Sequence, residues 1–129
     1  MKAIKIDVIK QHVEEIDIED SLNSMYAELD CNTFTAPYSF ANNDVLYVDD
    51  EGLLKDWEDV KGAFFLKEWN VQPLFGHGLI MGTNEEGESV DVSTNIEKIR
   101  NQIVFFKKDE VLKKTFDKLL NTPPKIYSF

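Results

Sequence analysis

Two acidic runs carry the densest chemistry-capable residues in the chain, Asp49-Asp50-Glu51 and Glu85-Glu86-Gly87-Glu88. Hard divalent cations take oxygen ligands, so carboxylates of this kind could hold Mg²⁺ or Ca²⁺ if the fold made them converge. The spacing is not that of an EF-hand loop, which needs Asp-x-Asp-x-Asp-Gly and a late glutamate. Solvation of two turns is the simpler reading, and no metal is expected. His77 stands between Gly76 and Gly78. Flanking glycines would let a ligand approach the backbone and leave the imidazole free to titrate. A general base also needs an orienting partner, and none is visible in the linear sequence, so a turn histidine is the simpler reading.

The remaining candidates are weaker. Cys31 and Ser89 lack a nucleophile elbow, and Cys31 is expected to pack at a helix end. Gly76-x-Gly78-x-x-x-Gly82 misses the dinucleotide fingerprint by one residue, and no Lys-Ser or Lys-Thr follows. Trp57, Trp69, Phe64, Phe65 and Phe75 crowd the middle third. Aromatics at this density build core; the sharper alternative is a pocket on which a base or nucleotide stacks. No acid, base, nucleophile or metal set converges by spacing, so a binding protein without a cofactor is expected rather than an enzyme. Its candidate binding residues are Asp49, Asp50, Glu51, Glu85, Glu86 and Glu88 on the acidic turns. His77, Trp57 and Trp69 are the candidates for a pocket.

Several elements must position these residues. Ile4, Ile6 and Val8 alternate with Lys5 and Asp7, a strand pattern, and residues 13–18 can return as a second strand. Ile18, Leu22, Met25, Tyr26 and Leu29 form one helical stripe, with Glu19 and Asp20 expected in the first turn. Asp30-Cys31-Asn32 ends that helix. Pro37 should place its segment at a sheet edge or force a bulge. Asn42-Asn43-Asp44 reads as a turn before the strand Val45-Leu46-Tyr47-Val48. Ala63-Phe64-Phe65-Leu66 reads as a buried segment. Leu79-Ile80-Met81 reads as a buried strand entering a hairpin with Val90-Asp91-Val92.

Thr94-Asn95-Ile96-Glu97 is expected to be a capping box for a helix with Ile96, Ile99 and Ile103 on its apolar stripe. Val104-Phe105-Phe106 can break out as a strand. A further helix is expected from Asp109, stopped by Pro123-Pro124. The sum is a single small α+β domain, mostly antiparallel sheet with two to three helices.

The charge is polarised. Lys and Arg number 14 against 24 Asp and Glu, a formal net charge of −10. Residues 11–59 carry 14 acids against Lys55 alone, whereas residues 96–129 carry 8 bases against 4 acids. Such a balance argues against a sequence-independent grip on nucleic acid, which needs cations against phosphate. One cysteine cannot form an internal disulfide, which fits a reducing cytoplasm. The charged N-terminus lacks the apolar core of a signal peptide, and no run of ~18 apolar residues spans a membrane.

The order of a short N-terminal strand, Ile18-Glu19-Asp20-Ser21-Leu22, then Asp44-Val45-Leu46-Tyr47-Val48-Asp49-Asp50-Glu51-Gly52, then Gly78-Leu79-Ile80-Met81-Gly82-Thr83-Asn84-Glu85-Glu86-Gly87-Glu88-Ser89 resembles one family. That family is the domain of unknown function 3846. The resemblance covers roughly residues 1–106, with residues 107–129 as an added helix and tail. It implies a small α+β domain encoded mostly by bacteriophages, plasmids and other bacterial mobile elements, with no assigned activity.

Two functional readings follow. The first is a non-enzymatic interaction module whose acidic face occupies a basic host protein surface, such as the groove of a DNA-binding enzyme. The second is a protein that binds or sequesters a small nucleotide-type molecule through the aromatic middle third.

Overall fold

The computed structural model describes residues 1–51, 61–68 and 73–107. Trp57, Trp69, Gly52 and the helix expected from Asp109 lie outside them. The described chain runs β1 (Lys2–Asp7), β2 (His12–Asp17), α1 (Leu22–Leu29), β3 (Phe34–Ser39), β4 (Val45–Asp49) and β5 (Ala63–Leu66). It continues through β6 (Leu74–Phe75), β7 (Gly78–Thr83), β8 (Ser89–Val90), α2 (Ile96–Arg100) and β9 (Ile103–Phe106). One sheet has the order β2-β1-β7-β4-β3, with β8 pairing with the end of β7. A smaller sheet has the order β6-β5-β9. Every pairing is antiparallel, which matches the expected α+β class.

Period-two alternation divides the large sheet into two buried faces. On one, Ile4, Ile6, Val13, Leu46 and Ile80 pack with Phe64 and Leu66 of β5 and with Ile99 of α2. On the other, Ala3, Leu79 and Met81 pack with Met25 and Leu29 of α1. The six-stranded sheet is thus the middle layer between α1 and the smaller sheet. Ile4, Ile6, Leu46, Leu79 and Ile80 are wholly buried. Each such side chain contributes ~1.5–3 kcal/mol relative to exposure. The continuous run Leu79-Ile80-Met81 follows from β7 being covered on both faces.

Backbone fit sets the close contacts of β7. A Cβ on Gly78 would lie 2.8 Å from the Phe64 ring, and one on Gly82 would lie 2.3 Å from the Asp91 carbonyl oxygen. Pro37 sits in the edge strand β3, and the β3–β4 register shifts between Thr35 and Tyr38, as a proline in a strand demands.

Two helix starts differ from the sequence expectation. The first helix begins at Leu22, after Ser21, whose Oγ accepts the Ser24 N–H at 3.1 Å. Glu19 and Asp20 therefore precede the helix. Ile18 instead extends the β1–β2 ladder, its N–H donating to the Met1 carbonyl at 2.9 Å. Leu22 is 59% exposed, so the stripe reduces to Met25 and Leu29, with Tyr26 half-buried. Strand pairing captured the apolar residue that the helical period had claimed.

The second helix is capped by Asn95, which accepts the Glu97 N–H at 2.9 Å. Thr94 is not the cap: its hydroxyl donates to Asp44 at 2.5 Å, and Glu97 pairs with Arg100 at 2.7 Å. The charge-assisted bond to the Asp44 carboxylate fixes the Thr94 hydroxyl, and Asn95 supplies the acceptor for the helix N–H instead. This helix stops at Arg100, and Ile103 belongs to β9.

Candidate functional site

Antiparallel pairing of β4 with β7 decides where the acidic turns go. Val48 lies opposite Gly78, and Val45 opposite Met81. Asp49, Asp50 and Glu51 therefore leave the sheet beside His77, while Glu85, Glu86 and Glu88 leave it at the other end. At roughly 3.3 Å per residue, the registered stretch alone holds the two turns at least about 10 Å apart. The structure does not bring the two acidic turns together, and among the described residues no group of three or more His, Cys, Asp or Glu is placed to hold a metal ion.

Each turn has its own scaffold. Asp49 is buried, and its Oδ1 accepts the Glu51 N–H at 2.9 Å, which leaves Asp50 and Glu51 exposed. At the other end Asn84 does this work. Its Oδ1 accepts the N–H groups of Glu86 and Glu88, and its Nδ2 donates to the Glu88 carboxylate. Gly87, at φ +81°, completes the turn, and Glu85, Glu86 and Glu88 are all exposed. Asn84 was missed as a positioning residue, although an Asx side chain opening a Gly-containing turn is its sequence signal.

The histidine is not free. His77 is buried, 6% exposed, and its Nδ1 accepts the Val8 N–H at 3.2 Å. The neutral ring therefore carries its proton on Nε2. Burial lowers the His77 pKa below its ordinary 6.5; the Asp7 carboxylate opposes that shift, while Lys5 and Lys61 reinforce it. The imidazole that flanking glycines could have left free to titrate is instead buried, which favours its neutral form.

Asp7 is the partner that the linear sequence did not reveal. Its Oδ1 lies 3.7 Å from the His77 Nδ1, beyond hydrogen-bond range but within ion-pair range should the ring protonate. The same oxygen accepts the Ile9 and Lys10 N–H groups, both at 3.0 Å, and so closes the β1–β2 turn. Burial raises the Asp7 pKa, but those two amides and His77 outweigh it and hold the carboxyl below its usual value. With Nδ1 already an acceptor for backbone, the arrangement is a latch between β1 and β7 rather than a base poised for a substrate.

A second buried carboxylate was also missed. Asp44 is wholly buried and accepts the Ser93 N–H at 3.1 Å, the Thr94 N–H at 2.6 Å, the Thr94 hydroxyl at 2.5 Å and the Asn42 amide at 3.2 Å. It ties the start of β4 to the segment before α2, about fifty residues later.

Surface carboxylates differ in how they are neutralised. On α1 and its C-terminal cap, Glu28 pairs with Lys5 at 3.0 Å and Asp30 with Lys61 at 3.2 Å. Glu15 and Asp17 on β2, and Glu19 and Asp20 just after it, are exposed. Among the described residues no cation lies within ion-pair distance of these four. They were not among the residues singled out from the sequence, because the helical stripe had assigned Glu19 and Asp20 to a helix start.

The chain belongs to the family described as domain of unknown function 3846, whose model matches residues 1–104, from β1 into β9. No curated protein and no solved structure matches it. Among the described residues no helix is long and apolar enough to cross a membrane.

Proposed function

We propose that the protein is a non-enzymatic interaction module that offers an acidic surface to a basic protein. The observation that carries this reading is the run of exposed carboxylates that have no counter-ion among the described residues, along β2 and into the link to α1: Glu15, Asp17, Glu19 and Asp20. Repulsion among like charges is tolerated there, and a cationic partner would relieve it. The mobile-element setting implied by the family resemblance suits a host partner inside the cell. Electrostatic steering makes such association fast and strongly dependent on salt.

The test is affinity capture with the full chain from host lysate at low and at high salt. Basic proteins retained at low salt and released at high salt are expected. Failure to retain any basic protein at low salt overturns the reading.

A further inference from the structure

We infer that the β2 edge takes up a basic extended segment of a partner protein by strand addition. This inference rests on the reading above and assigns it a place and a mode of binding.

The β1–β2 ladder dictates which backbone groups are open. Met1 and Ile18 exchange both hydrogen bonds, so the alternate pairs Ala3–Ile16, Lys5–Glu14 and Asp7–His12 face each other in the same way. Val13, Glu15 and Asp17 must then aim their N–H and C=O groups away from β1. β2 ends its sheet, so no further strand meets them among the described residues. The Val13 carbonyl is taken by Arg100, whose Nε and Nη2 donate at 3.2 and 2.8 Å. The N–H and C=O groups of Glu15 and Asp17 have no partner among the described residues.

The opposite edge of the same sheet is not open in this way. β3 carries Pro37, which has no N–H, and a register shift, and both devices blunt a strand edge. β2 has neither: its six residues pair with β1 in unbroken register.

Charge selects the occupant. Glu15 and Asp17 share one face of β2, the face of their cross-strand neighbours Ile4 and Lys2. Glu14 and the half-buried Ile16 share the other. A second copy of this chain would set Glu15 and Asp17 against their own kind, which is unfavourable for directly opposed strands. A segment with Lys or Arg at alternate positions sets cations beside Glu15 and Asp17, and β-branched residues between them meet Ile16. Lys2 and Arg100 flank the site at its two ends and reduce its field without filling it.

The probe is a capped Thr-Lys-Val-Lys-Val-Lys-Thr peptide, with a control of equal charge N-methylated at alternate residues. Binding to the full chain is measured at low salt by calorimetry and by amide hydrogen exchange. The expected result is slowed exchange at the Glu15 and Asp17 amides. Affinity for the methylated control should be about tenfold weaker, the loss of one or two net hydrogen bonds. A Glu15→Lys, Asp17→Lys variant should lose the peptide, while a Glu85→Lys, Glu86→Lys variant of the same net charge keeps it.

Equal binding of both peptides overturns strand addition and leaves the acidic-surface reading in place. So does loss that follows Glu85 and Glu86, or self-association through β2 in sedimentation. Failure of both peptides to bind also overturns strand addition, and capture of no basic protein then removes the broader reading as well.

Discussion

Asp44 and His77 are buried polar residues at opposite ends of the β4–β7 pair, and they are satisfied to very different degrees. The Asp44 carboxylate is saturated, with backbone N–H, hydroxyl and amide donors converging on it from two segments. The His77 ring accepts one backbone N–H and has no acceptor for its Nε2 proton among the described residues. A saturated buried charge behaves as a fixed clip, because each donor it holds would be stranded without it. A half-satisfied imidazole can change its protonation state, so its end of the sheet is the one that acid should loosen. The acidic turns follow the same division: Asp50 and Glu51 leave beside the histidine, and Glu85, Glu86 and Glu88 leave at the clipped end.

Removing the clip should have the largest effect. Asp44→Ala strands the Ser93 and Thr94 donors in a buried site and should cost about 3–5 kcal/mol in urea unfolding. Asp44→Asn keeps the volume and one acceptor oxygen and should cost less; equal losses for the two variants would show that the full carboxylate, not its volume or a single acceptor, holds the clip. Gly82→Ala acts at the same end by a different route. Its Cβ would sit 2.3 Å from the Asp91 carbonyl oxygen, so β8 must move, at about 1–3 kcal/mol by the same measurement.

The histidine end is tested by pH. The folded pKa of His77 lies below its ordinary 6.5, so the unfolded chain binds the extra proton first. Stability is therefore full above about pH 6.5 and falls as pH drops from there towards the folded pKa. Asp7, held below 3.8, loses its contribution in the same direction at lower pH. The urea midpoint of the wild-type chain should fall between pH 7.5 and 5.5, and that of His77→Gln should fall less. Equal falls would mean that His77 is not the group responsible. The smallest effect on stability belongs to Glu15→Gln with Asp17→Asn, an exposed pair expected to stay within about 0.5 kcal/mol in thermal unfolding.

Much of the sheet was legible. Ile4, Ile6 and Val8 alternate cleanly, and Asn42-Asn43-Asp44 punctuates the chain where β3 turns into β4. Helix starts were less legible, because Ile18 and Thr94 each fit two local patterns and a distant partner chose between them: Met1 for one, Asp44 for the other. The candidate site was legible in composition and not in arrangement. The acidic turns were found as turns, but β4 and β7 run antiparallel, and that alone sends them to opposite ends. Asp7 was read only as a polar position in a strand, since its neighbour His77 is seventy residues away.

By itself, the sequence determined the class of fold, the turns and the polarity of charge, because residue spacing and local backbone preference act over a few residues. Tertiary structure decided which carboxylates are buried and clipped, which histidine is kept neutral and which strand edge stays open. Those outcomes depend on what is brought alongside from elsewhere in the chain. A strand edge or a buried donor has no meaning until its neighbour, or the lack of one, is in place.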